Sequence, residues 1–235
     1  MKEKKRRGKA KQAGKSKGTF LPQIIGMTGG VVMSSLAFWF FQRQADRVVA
    51  GKADALDIRI LHATQSLSSK RADEVMRLAT YMGTHIAVGT GAGLTALMMM
   101  KRHKPGEALT VVVSTGGAMA INTILKNIFR RQRPQQLRRL IRLPKSHSFP
   151  SGHSLLAAAT FPIIAHHLVY DEGLAKQVCA QAVAGVTILS VGVSRVYFGV
   201  HFPSDVLAGF AAGLGWLGLT SLSLALIEGD RAERG

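Results

Sequence analysis

The sequence predicts an all-α, polytopic membrane protein with six transmembrane helices, and three observations predict it. Apolar runs without a single Asp, Glu, Lys or Arg recur six times, each near the roughly 20 residues that a helix needs to cross a bilayer. The 235-residue chain is 47% hydrophobic yet carries a formal net charge of +18, so apolar and basic residues are segregated rather than mixed. Its mean hydropathy of +0.15 fits lipid-facing segments balanced by charged tails and loops. Cys179, the only cysteine in the sequence, lies inside an apolar run, so no disulfide forms within the chain. The 31 Lys and Arg raise nucleic acid as a partner. With so much of the chain committed to lipid, no nucleic acid is expected.

The elements follow in order. Residues 1–19 form a disordered basic tail: the first 18 carry nine Lys or Arg and no apolar periodicity. The tail is expected in the cytoplasm, solvated or touching anionic headgroups. Phe20–Phe41 is the first span, a retained anchor, since no small-x-small cleavage pattern follows it. Residues 43–77 mix charges with spaced apolar positions and predict one or two short amphipathic helices on the membrane surface. Leu78–Met100, Ala108–Leu125, Leu155–Tyr170, Gln177–Ser194 and Val206–Ile227 supply the remaining spans. The membrane domain thus covers 20–228, and 229–235 is a short C-terminal tail. Gly89 with Gly93, and Gly209 with Gly213, have the small-xxx-small spacing that lets membrane helices pack closely. His85, Asn122, His166 and His167, in or near spans, read as structural or interfacial polar residues.

Polar residues gather at span ends. Lys126 closes the third span, His153 opens the fourth, Arg195 closes the fifth, and His201 with Asp205 precedes the sixth. If spans alternate in direction, all of these lie at one membrane face. The basic tail and the connection Lys101–Lys104 assign the opposite face to the cytoplasm, so the site faces away from it. Pro150-Ser151-Gly152-His153 stands directly before an apolar run. Ser151 is suited to cap a helix whose first free N–H groups attract an anion, with an imidazole in the first turn to hold or deliver a proton. Lys126, Arg133 and Arg195 add the charge that neutralises a phosphate in its transition state. Asp205, four residues after His201, is placed to take the proton on one ring nitrogen and leave the other as a nucleophile. Pro203 suits the first turn of the sixth helix.

Lys126-x6-Arg133-Pro134, Pro150-Ser151-Gly152-His153 and Ser194-Arg195-x5-His201-x3-Asp205 together resemble the three-part signature of the type 2 phosphatidic acid phosphatase (PAP2) family. The resemblance implies a membrane phosphatase in which His201 attacks phosphorus and becomes a phosphohistidine while Asp205 orients it. His153 would protonate the leaving group and then activate water. Lys126, Arg133, Ser151, Gly152 and Arg195 would hold the phosphoryl oxygens, with no metal and no cofactor. Lipid phosphates are the implied partners, with undecaprenyl diphosphate, phosphatidylglycerophosphate and phosphatidic acid as candidates. The Arg-rich segment Arg130–Lys145 reads either as an attractor for a multiply charged headgroup or as a loop on anionic lipid. Three outcomes stay open: hydrolysis, phosphotransfer to a lipid or sugar acceptor, and non-catalytic lipid binding or transport. The related vanadate-binding haloperoxidases are soluble, which the spans here argue against. Oligomeric state is not legible.

Overall fold

One helix, Gly152–Val169, organises the rest because its residues are small and apolar on nearly every side. Leu155, Leu156, Ala157, Ala158 and Ala159 are all fully buried. A helix that is apolar all round has to be surrounded, and this one is. The structure, a computed structural model, describes residues 28–51, 53–135 and 144–234. The predicted basic tail, the start of the first span and much of the Arg-rich segment lie outside these residues.

Regular structure among the described residues is all helical. In chain order it comprises α1 (28–49), α2 (Asp54–Ser66), α3 (Lys70–Met82), α4 (His85–Lys101), α5 (Pro105–Phe129), α6 (Gly152–Val169), α7 (Leu174–Tyr197) and α8 (Pro203–Arg234). Helix α6 packs most extensively on α8 and α7, and then on α5 and α4. The α6–α8 seam is close because Gly209 and Gly213 face it: a Cβ on Gly209 would stand 2.6 Å from the Ser151 carbonyl, and one on Gly213 would be 2.8 Å from Ala158 Cβ. That pair has the packing role expected from its spacing. Gly89 and Gly93 do not, since Gly93 faces open space and the nearest group to Gly89 is a methionine tip 4.0 Å away. Outward faces of α4, α5 and α7 carry exposed large apolar side chains, including Leu94, Leu97, Val112, Ile124, Val186 and Leu189. Such a surface fits contact with lipid rather than water.

Three helical segments, Pro105–Phe129, Leu174–Tyr197 and Pro203–Ser223, are long and apolar enough to cross a membrane. The predicted span Leu78–Met100 is instead broken. Helix α3 ends at Met82, and Thr84 caps α4 by accepting a hydrogen bond from the Ala87 N–H (3.2 Å). Gly83 sits between them because a Cβ there would collide with Val191 and come within 3.1 Å of His153 Cβ. The first helix continues past Phe41 because Gln44 and Ala45 are buried, and Ala45 joins Phe41, Phe149 and Ala208 in one apolar cluster. Residues 43–77 do give two further helices, but α2 is more than a surface element, since Asp57 is buried beneath the start of α8. At the C-terminus α8 remains helical through Arg234, where a short tail is expected from the sequence.

Candidate active site

The turns at one end of the bundle bring the three sequence motifs together. Phe41, Phe129 and Phe149 form a ring cluster, with Phe129 and Phe149 centroids 4.9 Å apart. It ties the end of α5 and the loop before α6 to α1. Ser151 then caps α6 through its hydroxyl, which accepts from the Ser154 N–H (3.5 Å) and hydroxyl (2.9 Å). Its own N–H donates to the Asp205 carbonyl (2.9 Å), fastening the start of α6 to the start of α8.

A cavity of about 570 Å³ opens at this junction. Its lining includes Lys126 from α5, Arg133 from the following loop, Gly152 and His153 from α6, Arg195 from α7 and His201 from the α7–α8 turn. Six of the eight site residues expected from the sequence therefore line one space. The other two, Ser151 and Asp205, are fully buried behind the lining. Ser151 is engaged in capping, and Asp205 faces His201 from below. Gly152 must be small, because a Cβ would stand 2.9 Å from Asn122 Oδ1.

The geometry assigns the protons on His201. Arg133 Nη1 lies 3.0 Å from His201 Nε2 and also donates to the Val200 carbonyl (2.7 Å). A guanidinium only donates, so Nε2 is the unprotonated nitrogen and Nδ1 of the neutral ring carries the hydrogen. Nδ1 points towards Asp205 Oδ2 at 3.4 Å. That carboxylate is fixed by the Phe202 N–H (2.9 Å) and by the Ser148 hydroxyl. His201 is held neutral, its pKa pushed well below the ordinary value chiefly by burial and then by Arg133, Arg195 and Lys126. An uncharged imidazole that shares its cavity with three cations can act as a nucleophile on an anion that those cations attract.

The cations are held by neutral groups, which leaves their charge for a ligand. Lys126 Nζ donates to the His147 carbonyl (2.5 Å). Arg133 Nε donates to the Ser146 carbonyl (2.8 Å), and Arg195 Nη1 to the Thr80 hydroxyl. Arg195 Nε is buried with no hydrogen-bond partner, a donor available to an oxyanion. Among the described residues no group of three His, Cys, Asp or Glu side chains is placed to hold a metal ion.

The sequence reading missed several participants. Asn122 and His85, read there as structural, both line the cavity, and Asn122 Oδ1 is buried without a partner. Asn122 stands one helical turn before Lys126 on the same face, a spacing that could have placed it. His147 also lines the cavity, and Ser148 braces Asp205. Asp57 and Arg131 form an ion pair behind the site (2.9 Å). For Asp57 no motif or spacing gave a signal.

Comparison with known proteins now bears on this arrangement. The profile of the PAP2 superfamily matches residues 107–226. The chain belongs to the PAP2 superfamily. Phosphatidylglycerophosphatase B of Bacillus subtilis is 35% identical over 184 residues, covering 75% of this chain and 87% of that protein. Undecaprenyl-diphosphatase of Sulfolobus acidocaldarius is 28% identical over 138 residues, 56% of this chain and 61% of that one. The crystal structure of a transmembrane PAP2 type phosphatidylglycerolphosphate phosphatase from Bacillus subtilis superposes with a TM-score of 0.72 at 30% identity, covering 85% of this chain and 96% of that one. The protein is accordingly a PAP2-type phosphatase of membranes.

Proposed function

We propose that this PAP2 phosphatase hydrolyses a lipid phosphate or lipid diphosphate through a phosphohistidine on His201. The observation that carries the reading is the pairing at His201: its unprotonated Nε2 accepts from Arg133, which lines the cavity with it, and its Nδ1–H faces Asp205. Nε2 attacks phosphorus, the P–O bond to the leaving group breaks, and His153 gives that oxygen a proton. A bound phosphate favours the charged form of His153 that this step needs. Water then attacks the phosphohistidine, His153 takes its proton, and the N–P bond breaks to release inorganic phosphate. Arg133 yields its contact with Nε2 as phosphorus approaches, and binds phosphoryl oxygens together with Lys126, Arg195 and the N–H groups of Gly152 and His153 at the α6 start. Ser151 serves this cradle by capping the helix. A lipid substrate is supported by the site's place at the end of a bundle with an apolar exterior, where a headgroup meets the cavity while its tail stays in the bilayer. The names of the relatives agree with such substrates.

The spans in this reading are α1, α4, α5, α6, α7 and α8, with the N-terminus cytoplasmic and the cavity facing away from the cytoplasm. Helices α4 and α6, of 17 and 18 residues, are within the length range of bilayer spans. The deciding experiment is phosphate release by purified protein in detergent from phosphatidylglycerophosphate, undecaprenyl diphosphate and phosphatidic acid, with EDTA present. Release from at least one, undiminished by EDTA, is the expected result. No release from any of the three would refute the substrate class, and loss only with EDTA would refute a metal-free mechanism.

A further inference from the structure

Behind Asp205, on the side turned away from His201, lies a closed charged network built from two residues outside the fixed motif positions. Arg131 Nη1 donates to Asp205 Oδ1 (2.7 Å) and to the Ser204 hydroxyl (2.7 Å), while its Nη2 donates to Asp57 Oδ2 (2.9 Å). Asp57 accepts from the Ser204 N–H through Oδ1 (2.9 Å) and from the Ser204 hydroxyl through Oδ2. The Arg131 guanidinium carbon also stands 4.1 Å over the Phe202 ring. Asp57 is only 3% exposed and Asp205 not at all. Burial works to lower the pKa of Arg131, yet Asp205 and Asp57 outweigh it and raise it.

We propose that Arg131 and Asp57 are positioning residues for phosphoryl transfer, Arg131 clamping the far oxygen of Asp205 and Asp57 holding Arg131 in place. The inference rests on His201 acting as the nucleophile. Asp205 can keep Oδ2 on His201 only if its carboxylate plane does not turn: the Phe202 N–H and the Ser148 hydroxyl hold Oδ2, and the arginine fixes Oδ1. The charges alternate from Asp57 through Arg131 to Asp205 and then the imidazole. Arg131 therefore weakens the pull of Asp205 on a proton at His201, and Asp57 weakens Arg131 in turn. A buried ion triad is a poor stabiliser compared with apolar packing of the same volume. Its place against the orienting carboxylate gives it a catalytic use.

The charges predict shifts of opposite sign. Removing the cation in Arg131→Met makes His201 easier to protonate, so the acid limb of kcat/KM moves to higher pH. Asp57→Asn removes an anion, leaves Arg131 to Asp205 alone, and moves the limb to lower pH. Each shift should be about 0.5–1 unit. The other charged or titratable groups around His201 stay in every variant: Lys126, Arg133, His153, Arg195 and Asp205, with His85 and His147 on the same cavity. The phosphate ionisation of the substrate is likewise common to all.

The test is the pH profile of phosphate release from phosphatidylglycerophosphate by the full-length protein in detergent. Both variants should lose roughly 10- to 100-fold in kcat, less than the ~10⁴ that follows loss of a histidine's direct carboxylate partner, with KM little changed. Arg131→Lys should keep the wild-type limb, and the double variant should return towards it. Asp57→Asn, nearly isosteric, carries the test if Arg131→Met does not fold. Limbs that coincide with wild type, or move in the same direction in both single variants, overturn the positioning role while a dead His201→Ala leaves the nucleophile standing. No release by the wild type from phosphatidylglycerophosphate, undecaprenyl diphosphate or phosphatidic acid overturns both readings.

Discussion

His201 and His153 line one cavity but make different contacts. His201 is 2% exposed, with one ring nitrogen on Asp205 and the other on Arg133, so it is rigid and neutral. His153 sits in the first turn of α6, less buried, against Gly83. Replacing His201 with Ala should remove turnover by roughly four orders of magnitude or more, because a covalent nucleophile has no substitute. His153→Ala should cost about 10² to 10⁴ on a lipid alkoxide leaving group, and much less on a nitrophenyl phosphate, whose leaving oxygen needs no proton. Equal losses on both substrates would count against proton donation by His153. The pH dependence follows from His201. Burial and the three cations disfavour its protonated form, so free enzyme keeps the nucleophile down past the ordinary histidine value near 6.5 and loses it only in more acid solution. An acid limb for kcat/KM lying above that value in the wild type would contradict the neutral ring.

At the scale of elements, the seam between α6 and α8 fixes the distance between His153 and His201, since each helix begins within two residues of its histidine. Gly209 and Gly213 let that seam close, so Gly213→Leu should overpack it by about 1–3 kcal/mol and lower both the thermal midpoint in detergent and turnover. Gly93→Leu, at an exposed position where an added Cβ meets nothing within 4 Å, should leave both near wild type. A comparable loss at Gly93 would mean that the two glycine pairs are not distinguished by packing as argued. The contrast also marks what the sequence could and could not tell. Spacing alone gave the same reading for Gly89/Gly93 as for Gly209/Gly213, because a small-xxx-small pattern does not say which face a partner covers. Motif spacing and span parity did place Lys126, Arg133, His153, Arg195 and His201 on one cavity. The break at Gly83 was hidden inside an unbroken apolar run, because its cause is a tertiary contact with His153 and Val191. Asp57 was illegible for the same reason: its partners Arg131 and Ser204 are distant in sequence, and no periodicity joins them.

For the molecule as a whole, the charge at the two ends of the bundle bears on which way the cavity faces. Helix α5 ends and α6 begins at the cavity, α7 ends and α8 begins there, and α4 starts there at His85. The loop between α2 and α3 is on this side too, because Asp73 in the first turn of α3 accepts a hydrogen bond from the Tyr197 hydroxyl at the end of α7 (2.6 Å). The turn between α4 and α5 is therefore at the other end of the bundle, where Arg102 pairs with Asp171 after α6 (3.7 Å). Cationic residues cluster in that turn and in the N-terminal tail, and the positive-inside tendency predicts the cytoplasm for both. The cavity loops are also rich in cations, but those around the cavity are explained by an anionic substrate rather than by orientation. Single cysteines settle the matter in a Cys179→Ser background, since Cys179 is exposed and would otherwise react. Ser68→Cys on the cavity side should react with a membrane-impermeant maleimide in intact cells, and Lys101→Cys on the other side only after permeabilisation. Both positions are exposed on the protein itself, so a failure to label reports the membrane and not burial. The reverse pattern would turn the cavity to the cytoplasm, and the lipid phosphate would then have to be met in the inner leaflet.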